Sequence, residues 1–392
     1  MSTSLINSLL LASTAIYLGA AVAFLIGLRR KNRPARSRSR PFVSVVIAAR
    51  NEADYIADCL AGLVNQTYPA DRYEVLVVDD GSTDKTPAIS AEFAARHTRV
   101  RSIAVTDAFR HMEAKKRPLS EGIRTARGSI ILTTDADCAV PPTWISGMVT
   151  QFEAGADVVI GFSQAKSAGD PQTLAERIQA FDFLALMSAS AGAANLGVPL
   201  AASGQNLAYR KALFERVAGF EEIAHRPSGD DVLLLQLFRR AGATVVFADH
   251  PYTFVNTRRA ETMAGFWAQR RRWASNARCM LALNPVFFVY LANVFLLNLL
   301  FPVALISGIS GTGVGLPLAC FAAKAMADLL VVWRGARRFG RTDLLPVLPV
   351  WEILQIPYTV LVGLFGSFGS FVWKGRVHKP RETGKSGVLA LK

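Results

Sequence analysis

The chain has 392 residues, 51% of them hydrophobic, with a positive mean hydropathy and a formal net charge of +14. That apolar share is high for a water-soluble protein, and it is concentrated in a few runs. The charge does not imply nucleic acid: basic residues crowd beside the apolar runs, as the positive-inside bias and anionic headgroups produce, and no aromatic-interleaved basic patch is present to stack bases.

The first run, 5–28, carries no charge and is long enough for one helical crossing of a bilayer. No basic residue precedes it, whereas Arg29, Arg30, Lys31, Arg33, Arg36, Arg38 and Arg40 follow it. Those flanks predict an uncleaved anchor with its N-terminus outside and the following chain in the cytosol, rather than a signal peptide cut near Ala20-Ala21-Val22-Ala23.

From Phe42 short β-rich runs alternate with amphipathic stretches. Strands are predicted over 43–48, 74–78, 129–133, 157–161 and 244–248, and helices over 52–66, 86–96, 120–126, 143–153 and 231–241. Such alternation predicts an α/β domain with a mostly parallel sheet covered on both faces and ligands at the carboxyl ends of its strands. Asp79-Asp80 and Asp135-Ala136-Asp137 each fall just past a predicted strand, on the same rim. No GxGxxG follows the first strand, and neither GxxxxGK[ST] nor GxSxG occurs. Dinucleotide oxidoreductase, P-loop and serine hydrolase chemistry are therefore disfavoured.

Asp79-Asp80-Gly81-Ser82-Thr83-Asp84 suits a turn and helix start, and equally a carboxylate that accepts hydrogen bonds from a base or ribose. Asp135 and Asp137 project from one side of an extended segment. Hard oxygen ligands of this kind suit Mg²⁺ or Mn²⁺ completed by water and phosphates, although a solvated strand-end loop has the same composition. Asp231, after Gly229-Asp230, opens a helix, as a cap or as a general base. Gln269, Arg272 and Trp273 stand at i, i+3 and i+4, on one helix face. Arg272 is expected to point into a site, for phosphate, and Trp273 to offer a flat wall for a sugar or lipid. Arg270 and Arg271 are expected to face lipid, with Phe266 and Trp267 as interfacial anchors.

Further on, 285–306 and 314–333 form a hairpin of spans that returns the basic stretch 334–341 to the cytosol. The last run, 344–373, contains Glu352, Gln355, Pro346, Pro349 and Pro357. Its first half predicts an interfacial helix, and the basic tail favours a cytosolic C-terminus over a further crossing.

In this order the motifs resemble those of the family 2 glycosyltransferases with a GT-A fold. They are most similar to the membrane-bound branch that includes cellulose, chitin and hyaluronan synthases and ceramide glucosyltransferase. The resemblance runs from Pro41 to Trp273 and includes the flanking spans. It implies a Rossmann-like GT-A domain over 41–260, following an anchor over 1–28 and a basic linker over 29–40. An interfacial helix over 261–283, a hairpin over 284–334, a segment over 344–373 and a tail over 374–392 complete the chain.

Carried over position by position, the resemblance implies that Asp80, with Asp79 beside it, holds the uracil of a UDP-sugar. Ala49 and Glu52 would line the nucleotide pocket, and Lys115 would match a Gly-Lys-Ala segment. Asp135 and Asp137 match the DxD, with Asp137 the metal ligand. Asp231 matches the catalytic base, with Asp230 in place of the usual Glu. Gln269 and Arg272 would serve the donor diphosphate and Trp273 the acceptor, while Gly204, Gln205 and Asn206 fall in an acceptor loop. Ala48 departs from a common Pro. The implied activity is inverting transfer from a UDP-sugar to a lipid hydroxyl at the cytoplasmic face of the cell membrane. The alternatives are a processive polysaccharide synthase and a silent membrane GT-A domain that binds partners.

Overall fold

The computed structural model describes residues 2–30, 40–165, 173–260, 262–368, 371–373 and 376–378. Most of the basic linker 29–40 and of the tail 374–392 lies outside the described residues.

In chain order, α1 (Thr3–Arg29) leads into β1 (Val43–Ala49), α2 (Ile56–Val64), β2 (Tyr73–Asp79), α3 (Thr86–Arg96), β3 (Val100–Ala104), α4 (Lys116–Thr125), β4 (Ile130–Thr133), α5 (Trp144–Glu153), β5 (Val158–Gly161) and β6 (Ser163–Ala165). There follow α6 (Leu174–Asn195), β7 (Leu207–Arg210), α7 (Lys211–Arg216), α8 (Val232–Arg240), β8 (Val245–Ala248), β9 (Val255–Thr257), α9 (Met263–Ala274), α10 (Ala277–Leu283), α11 (Pro285–Ser307), α12 (Gly315–Phe339) and α13 (Leu348–Phe368).

The main sheet has seven strands in the order β3-β2-β1-β4-β7-β5-β8. β1 pairs in parallel with β2 and β4, and β5 with β8; β7 runs antiparallel to both its neighbours. All five predicted strands are present. β3 and β7 were not expected: β3 is an edge strand with only Val100 buried, and β7 is four residues long.

Alternating side chains divide the core between the two faces of the sheet. Val45, Ile47, Val75 and Val77 pack with α2 and α5 on one face. Val46, Leu76 and Val78 pack on the other, in a cluster that continues through α4, α6 and α8 into Phe24 and Leu28 of α1 and Val331 and Phe339 of α12. The hinge of this continuity is α6, whose first turn is fixed by a capping box between Thr173 and Glu176. α6 is apolar nearly all round, so it lacks the one-sided period by which surface helices are recognised. It meets α1 at glycines: a Cβ on Gly192 would lie 2.6 Å from the Phe24 carbonyl oxygen.

Four helical stretches are long and apolar enough to cross a membrane: Thr3–Arg29, Pro285–Gly311, Gly315–Phe339 and Thr342–Gly366. The last departs from the expected interfacial half-helix, since α13 is continuous through Pro357. Glu352 and Gln355, which suggested an interface, are instead partners of a buried cation. Lys324 is fully buried, and its Nζ donates to Asp328 (2.6 Å), Glu352 (2.7 Å) and Gln355 (2.5 Å). The Tyr17 hydroxyl donates to Asp328. This cluster ties α1, α12 and α13 together.

Candidate active site

A cavity of about 1310 Å³ opens where the carboxyl ends of β1, β2 and β4 face α8 and α9. Its rim holds Ala49, Glu52, Asp80, Lys115, Asp135, Asp137, Gly204, Gln205, Asp230, Asp231, Gln269, Arg272 and Trp273. It then continues between apolar side chains of the long helices, among them Phe24, Phe287, Leu291, Val331 and Val362.

At the β2 end, Asp80 is buried beneath Arg50, which donates to its carbonyl oxygen at 2.6 Å and lies 3.4 Å from its carboxylate; Arg117 approaches at 3.9 Å. Asp79 lies outside the cavity. Its carboxylate accepts from the backbone N–H of Gly81 and Ser82, which closes the turn. Arg50, Tyr55 and Arg258 line the cavity without having been singled out, and the Arg258 guanidinium sits 3.8 Å over the Tyr55 ring. Arg50 and Tyr55 were within reach of sequence reasoning, because they follow the carboxyl end of the first predicted strand.

Past β4, the DxD carboxylates stand close enough to interact. Burial and the adjacent Asp135 push the Asp137 carboxyl up to about 6, against the pull of Lys115. Lys115 donates to Asp135 Oδ1 at 2.7 Å. Burial works against its charge, but Asp135 and Asp230 prevail and raise its pKa above the usual lysine range. Two crowded carboxylates that share one lysine fit a divalent cation whose remaining ligands are water and phosphate oxygens. Among the described residues no group of three or more metal-ligating side chains occurs.

The neighbouring Lys116 is buried and does structural work. Its Nζ donates to the carbonyls of Arg226 (2.6 Å) and Ser228 (3.1 Å), which fixes the loop leading to Asp230-Asp231. Burial lowers its pKa to about 8. Gly229 takes φ +89° in that loop, a left-handed backbone that only glycine adopts without strain. Asp231 then both caps α8 and faces the cavity: its Oδ1 accepts from Val232 N (2.6 Å) and its Oδ2 from Gly204 N (3.1 Å). Burial, reinforced by Asp230, pushes its carboxyl up to about 6, opposed by those two N–H groups and Arg272.

In the expected acceptor loop, Gly204 and Gln205 line the cavity, with Gln205 Nε2 donating to Thr257 Oγ1 at 2.9 Å. Asn206 does not. It is fully buried, donates to the carbonyls of Phe162 and Thr253, and accepts from Trp144 Nε1. It is a core bracket.

On α9, capped by Thr262, Gln269, Arg272 and Trp273 face the cavity. Arg270 departs from its expected place at the lipid surface. It is 4% exposed and ion-paired with Asp182 of α6 at 2.6 Å. Its burial depends on a partner in a helix that no sequence period announced.

Residues 44–217 match the profile of glycosyl transferase family 2. The chain is 34% identical over 213 residues to glycosyltransferase AglE of Haloferax volcanii, a match covering 53% of this chain and 64% of that protein. It is 28% identical to the probable glycosyltransferase YdaM of Bacillus subtilis, covering 60% of this chain and 54% of the other. Over 115 residues it is 36% identical to a β-monoglucosyldiacylglycerol synthase of Nostoc sp., covering 29% of this chain and 24% of that enzyme. Each match thus spans less than two thirds of the relative. Among solved structures, a mannosyltransferase from Pyrobaculum calidifontis, in complex with GDP-mannose and Mn²⁺, superposes with a TM-score of 0.58 at 21% identity, over 89% of this chain and 99% of that one. The shared fold is GT-A.

Proposed function

We propose that this chain, whose residues 44–217 match the glycosyl transferase family 2 profile, is an inverting glycosyltransferase moving one sugar from a UDP-sugar to a membrane lipid hydroxyl. The observation that carries the reading is the single cavity with a carboxylate-and-arginine rim at one end and long apolar helices at the other. A water-soluble donor suits the first end and an amphiphilic acceptor the second.

In this reading Asp80, Ala49 and Glu52 seat the nucleoside, and Arg272 with Gln269 the diphosphate. Asp135 and Asp137 hold Mg²⁺ or Mn²⁺, which when bound neutralises charge on the departing diphosphate. The Mn²⁺ in the mannosyltransferase complex supports that assignment, and the name of the Nostoc relative supports a lipid acceptor. Asp231 takes the proton of the acceptor hydroxyl as its oxygen bonds to the anomeric carbon. The bond to the diphosphate breaks on the opposite face, and its electron pair leaves with UDP. Lys115 steadies Asp135, and Trp273 walls the acceptor. The basic residues that follow α1 favour a cytosolic catalytic domain at the cell membrane.

The test is incubation of membranes containing the full chain with radiolabelled UDP-sugars. The expected product is a lipid bearing one sugar, abolished by EDTA and restored by Mn²⁺ or Mg²⁺. A water-soluble polymer would instead make the protein a processive synthase, and no labelled product with any donor would make it a binding protein.

A further inference from the structure

Arg258 stands on the cavity rim without an anion of its own. It follows β9, and the residues on either side of it are fixed. Thr257 accepts from Gln205 at 2.9 Å, and Arg259, its side chain 5% exposed, pairs with Glu176 at 3.2 Å. Arg258 between them is exposed, lines the cavity and makes no ion pair among the described residues. Arg50 and Lys115 on the same rim each have a carboxylate, Asp80 and Asp135.

One bridge sets its place. Ala139 and Asn256 exchange both backbone hydrogen bonds, at 2.8 and 3.0 Å, in an antiparallel pair. Two residues back from Ala139 and two on from Asn256, Asp137 and Arg258 come to the same stretch of the rim. Yet the guanidinium does not pair with that carboxylate. It lies 3.8 Å over the ring of Tyr55, at the start of α2. The stack restrains the planar fork and leaves Asp137 open.

Charge decides what completes this arrangement. In the reading above Asp137 holds a divalent cation, and Arg258 adds a second positive group beside it. A diphosphate has oxygens for both, whereas a base, a ribose or a neutral sugar leaves the guanidinium without a counter-charge. We propose that Arg258, aligned by Tyr55, binds a diphosphate oxygen of the nucleotide donor, as a binding residue in addition to Arg272 and Gln269. The inference rests on the UDP-sugar reading above and deepens it.

The test measures equilibrium binding, not turnover, of UDP and of uridine to the full chain in nanodiscs with Mn²⁺, uridine being carried to millimolar concentration. UDP carries no sugar, so a loss cannot come from a contact to the transferred group. Arg258→Ala is expected to weaken UDP about tenfold or more and to leave uridine unchanged, which also shows the variant folded. Arg258→Lys keeps the charge but loses the fork, and should recover only part of that loss. Tyr55→Leu, which removes the ring, is expected to weaken UDP about threefold.

Unchanged UDP binding in Arg258→Ala, or a loss of uridine as large as that of UDP, overturns the proposal. Full recovery in Arg258→Lys, or wild-type affinity in Tyr55→Leu, removes the alignment by Tyr55 and overturns it as stated. Failure of the wild-type chain to bind UDP removes the UDP-sugar reading itself, and this inference with it.

Discussion

In the proposed reaction Asp231 is asked to do two opposed things. As a base it must be ionised, yet burial and Asp230 hold its carboxyl up near 6. Turnover should therefore rise with pH through about 6 and level off above it, a profile that initial rates from pH 5 to 8 would reveal. Stability should run the other way. A carboxyl with a raised folded-state pKa binds protons more tightly folded than unfolded, so its contribution is full below the unfolded value and is lost as pH rises through the folded one. Asp231→Asn should consequently lower kcat about a hundredfold or more while leaving the melting temperature at pH 7.5 equal or higher. A melting temperature that falls sharply would show that the carboxylate serves mainly as the cap of α8. The general location of Asp231, Asp135 and Asp137 was legible because strand-end and helix-start positions are set by local pattern. The inward turn of Arg270 was not, since it depends on Asp182, far away in the chain. The burial of Asn206 was not legible for the same reason: its partners Phe162, Thr253 and Trp144 come from three separate segments.

Two elements carry more than their sequence announces. In α6 the Gly192 contact leaves no room for a side chain, so Gly192→Leu should push α1 and α6 apart. The expected loss is about 1–3 kcal/mol or more of overpacking strain, seen as a lower melting temperature in detergent. In α12, Lys324 stands between Asp328 and Glu352 inside the bundle. Replacing it with Met leaves two buried carboxylates facing each other and should destabilise by about 3–5 kcal/mol. Neutralising all three (Lys324→Met, Asp328→Leu, Glu352→Gln) should recover much of that loss in the same melting assay. If the single variant melts like wild type, the cluster does not hold the helices together. Polar residues in 344–373 read as signs of an interface because composition is blind to partners. Only the folded structure shows Glu352 and Gln355 meeting Lys324.

For the molecule as a whole, composition suggests a soluble domain tethered at both ends, and the alternation of strands and helices revealed the domain's sheet. What composition does not show is that one face of that sheet shares its apolar cluster with α1 and α12. A fragment of residues 40–260 should therefore expose Phe183, Leu184 and Met187 of α6 and aggregate, as size-exclusion chromatography would report. A monodisperse fragment would mean the domain closes its own core. The cavity that spans this junction also sets how the reaction must be measured. In the proposed reaction the donor is counted in moles per litre, but a lipid acceptor that enters between the helices never leaves its two-dimensional solvent. Velocity should then follow the acceptor's mole fraction among the surrounding lipids and fall on surface dilution with inert phospholipid, even when its bulk amount is unchanged.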